Sequence, residues 1–274
     1  MKMREMTLEE RHRESLLILK DVHDFCLSHG ITYSLAYGTL LGAIRHKGYI
    51  PWDDDIDIVM PRPDYERFLA EYDSPRYKLL ASGTKKDWII FSRIYDAQKT
   101  VLKTHFPFAD HYDGGLWIDL FPLDGVEDDF EAFSQRVDKQ TRLWRKQISL
   151  REAKAGFDGC PTLRNKCSLI LRKITRLNGW GLRDVLNEMQ ETATEIPFGS
   201  TGHWSQLACL DDGVTNYQLT EDFSSVVPVP FEGETFYAMN GYERVLQTLY
   251  GDYMQLPPED EQVLKGTFFH FYWR

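Results

Sequence analysis

Positive charge is in short supply in this chain. Over 274 residues, 32 Lys and Arg stand against 42 Asp and Glu, a formal net charge of −10. Proteins that coat nucleic acid need a basic surface, so that role is excluded, whereas a local basic site for a phosphorylated ligand is not. Cysteine is scarce as well. Cys26, Cys160, Cys167 and Cys209 are scattered and form no CxxC pair. A chain of this length needs no disulfide to hold a core, so a reducing cytoplasm is the expected setting. Cys160 and Cys167 would make half of a zinc site with no other half in view, and all four are read as ordinary thiols. No apolar run approaches the ~20 residues of a membrane helix. The opening MKMREMTLEERHRES is charged where a signal peptide would be apolar. There is no Walker loop, no GxGxxG turn, no repeat and no low-complexity tract. What remains, 42% apolar with 14% aromatic residues, is a globular composition sized for one large domain or two small ones.

The stretch TLEERHRESLLILKDVHDFCLSHG reads as an amphipathic helix. Thr7 and Glu10 form a capping box, Leu19, Val22, Phe25 and Cys26 recur at helical spacing, and Gly30 closes it. ITYSLAY predicts a strand, GTLLGAIRH a tight turn into a short helix, DIDIVM a second strand and DYERFLAEY a helix. YKLLAS, WIIFSRIY and TVLK add strands. GGLWIDLFPLDG is another, with Pro122 expected to end it. From Asp128 to about Glu195 the pattern is helical, with breaks near 156–161 and 178–181. VVPVPFEGETFYAMN predicts a hairpin around Glu232–Gly233, and GYERVLQTLYGDYMQLPP a helix stopped by Gly251 and the two prolines. The expected outline is α/β: a mixed-sheet core over 1–125, a helical insertion over 126–215, and a C-terminal segment, 216–274, that packs back to complete the core.

PWDDDIDIVM places four aspartates in five positions beside an apolar run. Charges this close repel, and burying them unpaired is costly, so a metal ion, basic side chains or water must answer them. On a strand, Asp53, Asp55 and Asp57 share a face, Asp54 points away, and Ile56 and Ile58 take the buried side. Carboxylates two apart on a strand lie ~6–7 Å from each other, which lets their oxygens converge on a hard divalent cation such as Mg²⁺ or Mn²⁺. Asp119, an isolated acid in LWIDLF, is the expected third ligand of a site suited to phosphoryl or nucleotidyl transfer. Taken alone it could equally pair with a buried arginine such as Arg93. Acidic runs are usually solvated loops, and the alternation with isoleucine argues against that here. Ile58 where glycine is needed, and Asp64 in place of glutamate, argue against an EF-hand.

YGTLLGAIRHKG follows a strand and opens a helix, so its early N–H groups are free to hold a phosphate, with Gly38 allowing close approach and Thr39 adding a hydroxyl. Arg45 and His46, at the end of that helix, are either phosphate contacts or solvated cations at a helix C-terminus. The layout of strand, Gly-Thr turn, helix and DxD strand resembles the nucleotidyltransferase superfamily typified by DNA polymerase β. Its counterparts here are Gly38–Thr39, Asp55–Ile56–Asp57 and Asp119, with Thr39 where serine is usual and a long spacing to the DxD. The closer resemblance is to the LicD family of phosphocholine transferases, distantly related to fukutin and fukutin-related protein. It is carried by YGTLLGAIRHKGYIPWDDDIDIVMPRPDYERF, LWIDLFPLDG and YGDYMQLPP, in that order across positions 37–258.

That resemblance implies a nucleotidyltransferase-like fold and a Mg²⁺- or Mn²⁺-dependent reaction. Phosphocholine would pass from CDP-choline to a sugar hydroxyl of a cell-surface glycan or teichoic-acid precursor, releasing CMP. Other relatives transfer ribitol or glycerol phosphate. Asp55, Asp57 and Asp119 would hold the cations, one of them taking the acceptor's proton, with Asp53 supporting the same face. Arg93, Trp117 and Asp252 join Gly38, Thr39, Arg45, His46 and Trp52 as expected substrate contacts. A quaternary ammonium calls for an aromatic cage, drawn from Tyr37, Trp52, Trp117, Tyr250 and Tyr253. Two other readings stay open: transfer of a nucleotide monophosphate from an NTP, and a nucleotide- or choline-binding module without turnover. The segment 163–176 carries Arg164, Lys166, Arg172, Lys173 and Arg176 and no acid. It reads either as a helix docking on the inner membrane face, where a lipid-linked acceptor would be met, or as an insertion helix with its cations in water.

Overall fold

The computed structural model describes residues 3–81, 90–104, 114–155, 181–208, 210, 212–264 and 269–274. Helix α1 (Leu8–His29) forms as its caps dictate. Thr7 Oγ1 accepts the Glu10 N–H at 3.2 Å, Glu10 accepts the Thr7 N–H at 3.0 Å, and Gly30 ends the helix at φ 61°. Next come β1 (Ser34–Leu35), α2 (Tyr37–Arg45), β2 (Asp57–Pro61), α3 (Arg62–Glu71), β3 (Lys78–Leu80), β4 (Ser92–Tyr95), β5 (Thr100–Thr104) and β6 (Trp117–Val126). The second half holds α4 (Phe130–Ala155), α5 (Leu182–Ala193), β7 (His203–Ser205), β8 (Gln218–Leu219), β9 (Val226–Phe231), β10 (Glu234–Met239), α6 (Tyr242–Tyr250) and β11 (Phe269–Trp273). ITYSLAY yields only a two-residue strand, because Tyr37 swings to φ 47° and turns the chain into α2.

The main sheet runs β1-β2-β6-β4-β3, and β7 and β8 extend it from the far half of β6. Its central pair, β2 and β6, is parallel, while the other pairs are antiparallel. This is a mixed sheet with helices on both faces, an α/β fold of nucleotidyltransferase-like form. Pro122 does not end β6 as expected. Asp119 N–H points to β2, bonding Ile56 O at 2.9 Å, so two-residue alternation turns the side of position 122 that lacks an N–H towards β4. The β4 ladder has already stopped at Ser92 opposite Leu120, so no hydrogen bond is lost there.

Alternation along the strands sorts the two cores. Ile58, Met60, Ile94, Ile118 and Leu120 pack with Ile18, Leu19 and Val22 of α1, Tyr65 and Phe68 of α3, and Phe231 and Phe236 of the β9–β10 hairpin. Val59, Phe121 and Leu123 meet Leu143 of α4, Val185 and Met189 of α5, Trp204 and Val245 on the opposite face. Asp57 and Asp119 fall on this second face by the same period of two, so a face that is apolar along most of its length turns acidic at one end. The hairpin forms where expected, its two-residue turn supplied by Glu232 at φ 52° and Gly233 at φ 77°. Cys26 is a buried free thiol. The other three cysteines, the two helix breaks apart from Gly181, and the basic segment 163–176 lie outside the described residues. Among the described residues no helix is long and apolar enough to cross a membrane.

Candidate active site

Strand β2 begins at Asp57, so Asp53, Asp54 and Asp55 are not arranged by strand alternation as the sequence suggested. They occupy the turn that enters it. Asp53 N–H donates to Ile50 O at 2.9 Å, and Asp54 N–H donates to Asp53 Oδ1 at 3.2 Å. The tight turn gathers all three carboxylates, each offering an oxygen within 4.8 Å of the other two. Asp54 therefore stays with the group instead of pointing away.

Two helices hold this turn. From α1, Arg11 Nη1 donates to Asp54 Oδ2 at 2.5 Å and His12 Nε2–H donates to Asp53 O at 2.6 Å. The His12 ring lies flat on Tyr49, 3.8 Å between centroids. On α2, a Cβ at Gly38 would stand 2.4 Å from Asp53 Oδ2, so the absence of a side chain there is what admits the carboxylate. The Thr39 hydroxyl, expected to face a phosphate, accepts the Asp57 N–H at 2.9 Å and pins the start of β2. Helix α2 begins at Ala36 without a side-chain cap.

Beside the turn lies a row across three strands. Asp57 pairs in register with Asp119, and Asp119 with Arg93. Arg93 Nε donates to Asp119 Oδ1 at 2.7 Å and Trp117 Nε1 donates to Oδ2 at 3.1 Å, while the guanidinium lies 4.3 Å from the Trp117 ring centroid. The sequence left Asp119 between metal ligand and arginine partner, and the structure supplies the arginine. Trp117 itself is buried, with Phe269 and Phe271 of β11 each 4.9 Å from its ring.

The carboxylates remain crowded even so. Desolvation first, then repulsion from Asp53, Asp119 and Asp54, holds the Asp55 carboxyl well above the usual range, although the residue keeps one side open to solvent. Asp57 is raised in the same way, by burial and then by Asp55, Asp119 and Asp53, with Arg93 pulling weakly against them. Burial also raises Asp53. An all-oxygen, anionic donor set left with this much unanswered charge fits a hard divalent cation.

The turn opens into a cleft of about 970 Å³. Gly38, Arg45, Trp52, Asp53 and Asp54 line one side, and Tyr250, Asp252, Tyr253 and the stretch from Gln255 to Leu264 line much of the other. Arg45 holds the two sides together: its Nη1 donates to Tyr253 O at 2.9 Å and Gln255 O at 3.2 Å, and its Nε to His46 Nε2 at 3.0 Å. Burial, and then the Arg45 charge, push the His46 pKa down, which suits an imidazole accepting that bond. Burial raises the Tyr250 phenol, and Asp212, Asp57, Asp53 and Asp55 add to the shift, so its hydroxyl stands in the field of the acidic group. Of the aromatic residues considered for a cage, Trp52, Tyr250 and Tyr253 line the cleft. Tyr37 instead packs against Phe121 and accepts a bond from Asn216 Nδ2 at 3.1 Å. Sequence reasoning missed Arg11 and His12. Their partners lie 43 and 41 residues along the chain, beyond the reach of any local pattern.

The model of the family described as LicD/FKTN/FKRP, nucleotidyltransferase domain, matches residues 30–153, a span that holds α2, the acidic turn, β2 and β6. Over 270 residues the chain is 31% identical to the lipopolysaccharide cholinephosphotransferase LicD of Haemophilus influenzae, covering 95% of this chain and 96% of that protein. The chain belongs to the LicD family. Two uncharacterized proteins, of Rickettsia typhi and Rickettsia prowazekii, are 29% identical over 116 and 115 residues. Each match covers 39% of this chain, and 36% and 43% of the respective relative. In this LicD-family chain Gly38 and the acidic-turn residues Asp53 and Asp54 line the cleft, while Thr39 and Asp119 are buried behind them.

Proposed function

We propose that this chain is a phosphocholine transferase that moves phosphocholine from CDP-choline to a sugar hydroxyl of a cell-surface glycan precursor, using Mg²⁺ or Mn²⁺. The observation that carries the reading is the cleft itself. Asp53 and Asp54 of the crowded acidic turn line one wall, and Trp52, Tyr250 and Tyr253 line the cleft too, with Asp252, Asp260 and Glu261. Aromatic faces and acids together suit a quaternary ammonium. A ribitol or glycerol head could hydrogen-bond the acids but carries no positive charge to set against the rings. The name of the Haemophilus influenzae relative supports the same choice.

Asp55, Asp57 and Asp119 would hold the cation, Asp119 steered by Arg93 and Trp117, with Asp53 joining them from the turn. When bound, the cation neutralises the pyrophosphate and lowers the cost of the charge that builds on it. The sugar oxygen forms a bond to the choline-bearing phosphorus as the bridging P–O bond breaks, and CMP leaves with the electron pair. A carboxylate of the Asp55–Asp57–Asp119 group takes the hydroxyl proton. Gly38, having no side chain, lets the Asp53 carboxylate sit against the start of α2 at the edge of the cleft. Acceptor choice is assigned to the 126–215 insertion, whose α4 and α5 pack on the apolar part of the same sheet face.

Titration calorimetry tests the reading, with CDP-choline against CDP-ribitol, CDP-glycerol, CTP and ATP, each with and without Mn²⁺. Metal-dependent binding selective for CDP-choline is the expected result. Selective binding of CTP or ATP would replace it with nucleotide transfer, and no binding with metal present would sink both.

A further inference from the structure

Three carboxylates sit within reach of one another in the acidic turn, yet they are not equivalent. Asp54 alone among them carries a charge-assisted bond to a guanidinium, Arg11, whose side chain is 9% exposed against 22% for Asp54. Arg11 Nε is buried without a partner, so the side chain accepts an unpaired donor in order to place Nη1 on that oxygen. The next residue, His12, grips the carbonyl of Asp53, and its stacking on Tyr49 fixes the ring. Tyr49 is anchored in turn, its hydroxyl donating to His12 O at 2.8 Å and lying 2.8 Å from Ser15 Oγ. Two consecutive residues in the early turns of α1 thus hold two consecutive residues of the acidic turn. Arg11, His12 and Ser15 lie on a helix outside the residues matched by the family model, and Tyr49 and the acidic turn within them.

We propose that Arg11 is a positioning residue for the cation site: it neutralises Asp54 and holds it out of the ligand set, so that Asp53 and Asp55 face the cation together with Asp57. The inference rests on the cation-binding reading given above. Its physical content is a choice among near neighbours. Three equally placed anions would compete for one ion, with Asp54 drawing it away from β2, whereas a paired Asp54 contributes no net charge and little freedom.

The test is Mn²⁺ affinity of the full chain, read by electron paramagnetic resonance of the free ion, for the wild type, Arg11→Gln, Asp54→Asn and the double variant. Thermal unfolding in EDTA is recorded for each. Freeing Asp54 adds an uncompensated charge, so Arg11→Gln is expected to bind Mn²⁺ about tenfold more tightly, with a changed bound-ion spectrum. The double variant restores neutrality and is expected within about twofold of the wild type in affinity, with the wild-type spectrum. A merely structural role for Arg11 would weaken binding, and Asp54→Asn would not rescue it. Asp54→Asn alone leaves the Arg11 charge uncompensated and is expected to weaken Mn²⁺ binding by a similar factor, about tenfold, with the wild-type bound-ion spectrum. If the bound-ion spectrum of Asp54→Asn differs from the wild type's, Asp54 is a ligand and the proposal falls, whether or not Arg11→Gln folds. A wild type that binds no Mn²⁺ would overturn the cation site as well. Binding by the wild type with a changed bound-ion spectrum in Asp54→Asn overturns this inference alone.

Discussion

Replacing Asp57 with asparagine should stabilise the metal-free protein, although asparagine improves no packing. The reason is the charge that Asp57 shares with its neighbours. At 4.8 Å, the outer separation within the adjoining turn, two carboxylates repel by ~1 kcal/mol in water-like surroundings and ~3.5 kcal/mol at an effective dielectric of 20. Asp57 is half-buried and faces Asp55, Asp119 and Asp53 with Arg93 as the opposing cation, so one uncompensated repulsion, ~2 kcal/mol, is the working figure. For a chain of this length that is about 4 °C in Tm. The backbone bond from Asp57 N–H to Thr39 survives the change. The sign with pH follows from linkage. The Asp57 carboxyl is raised above its ordinary value of 3.8, so the folded chain holds a proton that the unfolded chain has lost. Stability therefore drains away as pH rises from about 4 through the folded value. The difference in Tm between Asp57→Asn and wild type in EDTA should thus grow from pH 5 to pH 8. His23 and His46, both lowered by burial, titrate alike in the two proteins and cancel. Adding Mn²⁺ should reverse the order, because the wild type gains more from the ion. Scanning calorimetry across that range, with EDTA and with Mn²⁺, decides it. A variant less stable than wild type in EDTA at pH 8, or a difference that shrinks with pH, would refute the argument.

Three further outcomes are expected. Gly38→Ala puts a Cβ against Asp53 Oδ2, so Mn²⁺ affinity should drop about tenfold while Tm stays within about 2 °C, because the short side chain can swing away at the cost of its placement. Thr39→Val removes the acceptor for the Asp57 N–H, and urea unfolding should show a loss of ~1–3 kcal/mol together with weaker donor binding. Asp124→Asn leaves Arg62 buried without the carboxylate that accepts from its Nε at 2.7 Å and its Nη2 at 2.6 Å, which should cost ~3–5 kcal/mol in urea unfolding. Adding Arg62→Met should recover part of that loss, and no recovery would count against the buried-charge explanation.

Local chemistry was legible from residue order alone. The Thr7–Glu10 box and Gly30 bound α1, Glu232–Gly233 turn the β9–β10 hairpin, and alternation along Ile58–Met60 and Ile118–Leu123 sorts the two faces. Each depends on neighbours within about four residues or on a period of two, so the sequence displays the cause directly. The family blocks also pointed to the turn, the DxD and the LWIDLF strand before any register was known. Pro122 misled because a proline's effect on a strand depends on whether a neighbour waits on its N–H side, and that neighbour, β4, is not adjacent in sequence.

What only the tertiary structure decided is which distant groups answer each charge. The parallel register of β2 on β6 sets Asp57 against Asp119, and the antiparallel register of β4 brings Arg93 to that same aspartate. Arg11 reaches Asp54 from α1, and Arg45 draws the 253–255 backbone against α2 to shape the cleft. The four aspartates can be read from the sequence as a demand for positive charge. Which cation, guanidinium or helix meets that demand depends on strand register and helix packing, and these are settled by burial summed over the whole core, not by any residue near the aspartates.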